Sequence, residues 1–367
     1  WSDDILMRVS PTSSTLAQYN EGNTKGADSL TRVNTAWQFI GTTTLVMPIG
    51  KGYRVTVGGD NSADLMATVG KPQVGSHSVA LTYTPAGTKG WNLVANPYPC
   101  EIDWDLVYAD NSKLVEANMY MLDPYNTSYN NNTYFVYNAL SKITTDPRKT
   151  DRPAERASFI ASSQGFFVKA KSTINSNSNT NKNMVFRETH KPVVFGAVYP
   201  NLRQEGALPQ IKIALSEGAT QNIGQTVVAF SPDATDGYDD YDARPFSGTA
   251  GIYTILGDGS KLSINTLQWP REEVNVPLVV NPDAPSGAKS FTITTMTATG
   301  FNYFLYDDYM GTSTLIVQGA VIPFEFTGNL ASRSTDRFRI VTMPLTTGNI
   351  EVKPEVQTGV ESTGMVL

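Results

Sequence analysis

The 367-residue sequence has one cysteine (Cys100), two histidines (His77 and His190), and only 17% charged residues. An ordinary globular chain carries about 25%. A single thiol excludes an internal disulfide framework, and together with two distant histidines it cannot complete a closed zinc site. Cys100 lies between Pro99 and Glu101 with no neighbouring cation to lower its pKa, so a structural thiol is expected. No Gly-x-Ser-x-Gly elbow is present, which removes one common signature of a serine nucleophile. No stripe of Lys and Arg could neutralise phosphates, and the formal net charge is -6, so nucleic acid is not an expected partner. Apolar runs are no longer than a strand, so no transmembrane segment is expected. The chain opens Trp1-Ser2-Asp3 without a signal-peptide pattern and reads as a mature or trimmed piece of a longer protein.

Thr, Ser, Asn, Gly and Tyr fill the place of the missing charge, a composition common in extracellular β-sheet proteins. Period-two alternation recurs along the chain, as a half-buried strand requires. It is seen at Tyr53/Val55/Val57, Val79/Leu81/Tyr83, Phe166/Val168/Ala170 and Ile211/Ile213/Leu215. It returns at Phe291/Ile293, Phe324/Phe326 and Phe338/Ile340. Asp258-Gly259, flanked by alternating residues from Tyr253 to Ile264, predicts a hairpin with a type I′ turn. Helical spacing is confined to Asp103 through about Asn118. There Asp103 is the N-cap, Trp104, Val107, Leu114 and Val115 supply apolar contacts, and a break is expected near Asn111. The fold class is therefore all-β, as two tandem β-sandwich (jelly-roll-like) domains with at most one short helix. Prolines between Thr189 and Pro209 place the boundary, giving domains 1–190 and 191–345, with 346–367 a linker or tail towards a missing sorting domain.

Two stretches carry a family resemblance. The first is Gly90-Trp91-Asn92-Leu93-Val94-Ala95-Asn96-Pro97-Tyr98-Pro99 with Ile102-Asp103-Trp104, followed later by Gln164-Gly165-Phe166-Phe167-Val168-Lys169. It resembles a pattern of large surface proteins of Bacteroidetes exported by the type 9 secretion system. Ala95 stands where that family usually has Gly, and Cys100 where Ser is common. The second runs from Val227-Val228-Ala229-Phe230 through Asp236-Gly237-Tyr238-Asp239-Asp240-Tyr241-Asp242-Ala243 to Arg337-Phe338-Arg339-Ile340. It resembles the β-rich module that precedes the C-terminal sorting domain of such proteins, with Arg244 where Lys is frequent. The resemblance implies passage through the type 9 translocon, location at the cell surface, and roles in adhesion, gliding or polymer handling. It implies no defined active site.

Candidate sites are few. Asp236, Asp239, Asp240 and Asp242 place four carboxylates close together, a supply of hard oxygen ligands that suits calcium, although the spacing is not that of an EF-hand. The alternative is a solvated acidic turn. Tyr125, Tyr129, Tyr134 and Tyr137 line an Asn-rich stretch whose composition suits stacking on sugar rings. Trp91 and Trp104 are expected in the core instead. Asp103, Asp105, Glu116 and Asp123 could form the carboxylate pair of a glycosidase, but a chain with 34 acids offers such pairs by chance. Asn126-Thr127-Ser128 and Asn131-Asn132-Thr133 match N-glycosylation sequons, and Asp28-Ser29-Leu30 resembles a short O-glycosylation motif. The expectation is a non-catalytic structural or adhesive segment that binds a glycan, a protein or a surface without a cofactor other than a possible calcium. The rival expectations are the accessory region of a secreted hydrolase, and cargo or a component bound to the type 9 machinery.

Overall fold

A computed structural model describes residues 6–8, 14–26, 32–33, 35–40, 47–57, 67–69, 71–122, 134–146, 157–175, 182–192, 208–218, 220–246, 251–269 and 274–344. The first half holds β1 (Leu6–Arg8), β2 (Ser14–Tyr19), β3 (Trp37–Ile40), β4 (Arg54–Val57), β5 (Ala67–Val69), β6 (His77–Ala80) and β7 (Trp91–Ala95). After these come β8 (Ile102–Asp103), helix α1 (Trp104–Asn111), β9 (Val115–Leu122), β10 (Tyr134–Asn138), β11 (Ile143–Thr144), β12 (Phe159–Ile160), β13 (Gly165–Ala170) and β14 (Asn183–Phe186). The second half continues with β15 (Gln210–Glu217), β16 (Thr220–Ser231), β17 (Ile252–Ile255), β18 (Lys261–Leu262), β19 (Ile264–Gln268) and β20 (Asn275–Val280). It closes with β21 (Gly287–Met296), β22 (Phe301–Asp307), β23 (Thr312–Leu315), β24 (Val321–Phe326) and β25 (Phe338–Pro344).

The class is all-β, with several sheets arranged as tandem sandwiches. Among the described residues no sheet mixes strands from the two sides of 191–209. The second half is a sandwich of a five-stranded sheet, β19-β16-β15-β21-β24, and a six-stranded sheet, β18-β17-β20-β25-β22-β23. Ile211, Ile213, Phe291, Ile293, Phe324 and Phe326 face Leu278, Tyr303, Leu305, Phe338 and Ile340 across its core. The alternation read from the sequence is the inward face of these strands. The first half is built on a five-stranded sheet, β11-β10-β9-β13-β7. One face of it packs with α1 and β14 through Val94, Phe166, Val168, Trp104, Val107 and Phe186.

The opposite faces of the two five-stranded sheets are apolar too. Phe167 and Tyr120 of the first half share a third core with Val227, Ala229 and Ile264 of the second. Consecutive residues therefore serve different cores. Phe166 and Val168 lie in the first, Phe167 in the third; Val228 and Phe230 lie in the second, Val227 and Ala229 in the third. Sheets buried on both faces lose the clean polar alternation and read as continuous apolar runs, as Val227–Phe230 does.

Two local expectations change. The helix stops at Asn111 and does not reach Asn118. The Asn111 amide donates to Val107 O (2.7 Å) and Val185 O (2.9 Å) and accepts from Val185 N (2.8 Å), which ties the last turn to β14. Val115 belongs to β9 instead. The Asp258-Gly259 turn is not type I′, because Gly259 has φ +82° but Asp258 has no positive φ. Gly259 N donates to Leu256 O and Leu256 N to Ser260 O (2.9 Å each), the three-residue loop with a left-handed glycine. Asp258 Oδ1 holds Ser260 N (2.8 Å) and so stabilises that form. The returning strand pairs with β17 for only two residues, then crosses at Ser263 into the other sheet as β19, parallel to β16.

Candidate functional site

The acidic segment lies at the junction of the two halves. Asp242 is 1% exposed; its Oδ1 accepts from Thr266 N (2.7 Å) and its Oδ2 from Asp239 N (3.0 Å). Asp239 accepts from Tyr241 N (2.9 Å) through Oδ1 and from Thr235 N (2.7 Å) through Oδ2. Asp240 Oδ2 pairs with Lys171 Nζ of the first half (2.8 Å), and Asp236 is exposed. The carboxylates thus point to different donors instead of to one centre. Among the described residues no group of three or more His, Cys, Asp or Glu is placed to hold a metal ion. Burial pushes the Asp242 pKa up to about 7, against the opposing pull of its backbone donors.

The first half meets this segment with buried polar side chains. Asn118 and Asn138 stand opposite each other on β9 and β10, and Asn138 Nδ2 donates to Asn118 Oδ1 (2.9 Å). Asn118 Nδ2 donates across the junction to Asp242 O (2.7 Å), and Asn138 Nδ2 to Asp240 O (2.9 Å). Glu116 accepts from Lys169 Nζ (2.7 Å) and, across the junction, from Tyr238 OH (2.8 Å). Arg244 stacks over the Tyr238 ring at 4.0 Å. Beside these bonds the Phe246 ring of the second half enters an aromatic nest. It lies 4.2 Å from Tyr134, 4.3 Å from Phe167 and 4.8 Å from Trp91, centroid to centroid. An apolar nest flanked by cross-junction hydrogen bonds resists both sliding and separation.

The residues that carried the resemblance are placed by this architecture. Trp91 is 4% exposed at the junction, and Trp104 is fully buried with Nε1 donating to Ala117 O (2.8 Å), so both tryptophans are core. Asn96 ties its turn to β12 by donating to Cys100 O (2.8 Å) and Ile160 O (3.1 Å), and it accepts from Tyr98 N (3.0 Å). Tyr98 is buried and donates to Gly75 O (2.6 Å).

Of the four tyrosines expected to form a ligand surface, Tyr134 and Tyr137 fall within the described residues. Tyr134 and Tyr137 stand on β10, not in the loop. Tyr137 is 3% exposed and donates to Asp105 (3.1 Å), so it offers no free ring face to a sugar, and Tyr134 is half-buried and packs on Phe167 and Phe246. β10 pairs with β9 along its length, and that pairing draws both rings into cores which a tyrosine-rich composition does not announce. Tyr125, Tyr129, Asp123, both sequons and Asp28-Ser29-Leu30 lie outside the described residues.

The remaining candidates have structural partners. Asp103 caps α1 by accepting from Asp105 N (3.0 Å), and burial raises its pKa. Asp105 also pairs with Lys142 (2.6 Å). His190 is buried; Nδ1 accepts from Arg187 N (3.1 Å), so Nε2 carries the proton and donates to Asp110 (3.0 Å). Burial lowers the His190 pKa, and the imidazole is neutral at neutral pH. His77 is half-buried beside the Tyr98 ring, and Cys100 is exposed. The sequence indicated none of the junction asparagines, because a buried amide has no periodic signature.

No curated protein and no solved structure matches the chain. One family description runs from residue 3 to residue 341, across both halves and the junction between them, and the chain belongs to that family, a domain of unknown function (DUF8693).

Proposed function

We propose that this chain is a non-catalytic structural and adhesive segment of a secreted bacterial cell-surface protein of the type 9 export class. The observation that carries the reading is the junction. Trp91 and Phe167 of the first motif and Asp240, Asp242 and Phe246 in and beside the second are spent on locking one half to the other. A segment that spaces or presents a binding surface needs such stiffness, and this one obtains it without disulfides. The low share of charge and the family's span over both halves fit a unit that works as one body.

The reading is tested by protease shaving of intact cells of the source bacterium, using an antibody against this segment, in wild type and in a strain lacking type 9 export. Loss of the signal on shaving in the wild type alone is the expected result. A signal protected in both strains would remove the surface assignment.

A further inference from the structure

One edge of β6 opens into a cavity. β6 pairs with β14, and Leu81 N donates to Lys182 O (2.8 Å), which sets the phase of the ladder. In an antiparallel pair alternate residues bond to the partner. His77, Val79 and Leu81 therefore bond towards β14, while Ser78, Ala80 and Thr82 direct N–H and C=O the other way. Val185, opposite Ser78, likewise turns its own N–H and C=O outward, to Asn111. Further along the β6 edge, side chains act as a substitute strand. Asn92 accepts from Thr82 N (3.0 Å) and donates to Thr82 O (2.8 Å), and Glu21 accepts from Thr84 N (2.8 Å). Ser78 and Ala80 are exposed and have no such cap among the described residues. They line, with Asn92 and Glu21, a cavity of about 580 Å³ that also takes in Lys51 and Leu93. The edge of β7 is not the vacancy, since Ala95 N donates to Gly50 O (2.8 Å) and Gly52 N to Leu93 O (3.2 Å).

We propose that this groove binds an extended peptide segment of a partner protein, added as a strand along Ser78 and Ala80, with an acidic side chain directed to Lys51. Two N–H/C=O pairs stand two residues apart, about 6.8 Å on a strand, and another extended backbone repeats its own groups at that interval. A sugar would use open aromatic faces, and the Tyr19 ring on this cavity is packed edge-on against Trp37 and Phe167. Charge selects the side chain. Glu21 is 6% exposed, and its carboxylate takes hydrogen bonds from Thr84 N, Thr84 Oγ1 and Gly90 N. Lys51 is the cation of the lining, held at 3.1 Å by the neutral Gln18 Oε1. The inference rests on the adhesive reading and narrows it to a protein partner.

The test is fluorescence anisotropy of the purified 367-residue chain with a labelled Thr-Val-Glu-Val-Thr-Val peptide. Saturable binding is expected, weakened at least tenfold, about 1.4 kcal/mol, when alternate peptide nitrogens are methylated. Ala80→Pro, which removes one outward N–H and no bond to β14, should weaken it similarly while leaving the melting midpoint unchanged. Lys51→Glu should shift the preference to Thr-Val-Lys-Val-Thr-Val. Absence of saturable binding, or equal affinity for the methylated and unmethylated peptides, would overturn the proposal. Such a failure leaves the shaving result untouched, so the groove and the surface reading fall separately.

Discussion

At Asp242 two effects oppose each other. Two backbone N–H donors favour the carboxylate, and burial disfavours it; burial wins, so the pKa rises from 3.8 to about 7. The folded state then holds the proton more tightly than the unfolded chain does. The resulting stability is full below the unfolded value of 3.8 and is lost as pH rises through about 7. Its size is roughly 2–4 kcal/mol. His190, whose pKa burial lowers, acts in the opposite sense. The informative quantity is therefore the difference between wild type and Asp242→Asn. We expect the variant to be less stable at low pH and the gap to narrow as pH rises through 7; urea titrations across that range that show a constant gap would refute the assignment. Gly90 allows a second test at this scale. Its φ is +93°, and an added Cβ would lie 2.5 Å from Ala170 O. Gly90→Ala should cost about 2 kcal/mol or more in denaturant unfolding, from strain and from the clash with main chain.

Elements meet at the junction through paired strands. Asn118 and Asn138 face each other across β9 and β10 and spend their amides on carbonyls of the acidic segment. Asn118→Ala would leave Asp242 O and Asn138 Nδ2 short of a partner and should cost about 1–3 kcal/mol. A double-mutant cycle with Tyr238→Phe, which removes the bond to Glu116, should show coupling above about 0.5 kcal/mol, because both contacts hold the same segment. Additive effects would mean that the two bonds act independently. Calcium enters at this scale too. Asp239, Asp240 and Asp242 already accept bonds from Thr235, Tyr241, Lys171, Thr266 and the Asp239 main chain. Chelation should leave the melting midpoint in place, and a midpoint that rises with added calcium would restore the ion.

For the molecule as a whole, the third core makes the halves interdependent. Phe246→Ala removes a ring packed against Trp91, Tyr134 and Phe167 and should destabilise by about 3–5 kcal/mol. Calorimetry should give a single transition for the intact chain, since separating the halves exposes Tyr120, Phe167, Val227, Ala229 and Ile264 together. Two resolved transitions would show that the halves fold independently and that the junction is weak. By the same argument, residues 208–344 expressed alone should self-associate through the uncovered sheet face.

Much of the fold was legible locally. Phe166/Val168/Ala170, Ile211/Ile213/Leu215 and Phe338/Ile340 alternate because each strand buries one face in its own half, and Asp103 caps α1 because the first turn needs an acceptor. The hairpin was visible in its Asp-Gly pair, although its turn type was not. The sheet exchange at Ser263 was not visible, since which sheet a short strand joins depends on partners far along the chain. Nor did composition separate Tyr137 in the core from an exposed tyrosine. By itself the sequence determined the all-β class, the inward faces and the place of the Asp258-Gly259 turn, because these follow from dihedral preference and period-two burial within a few residues. Only the tertiary structure decided that the acidic segment is a clasp, that Tyr137 is core and that no described residue caps Ser78 and Ala80 on the β6 edge. Those outcomes depend on which donors and acceptors meet across more than a hundred residues of chain, as Asn118 and Asp242 do.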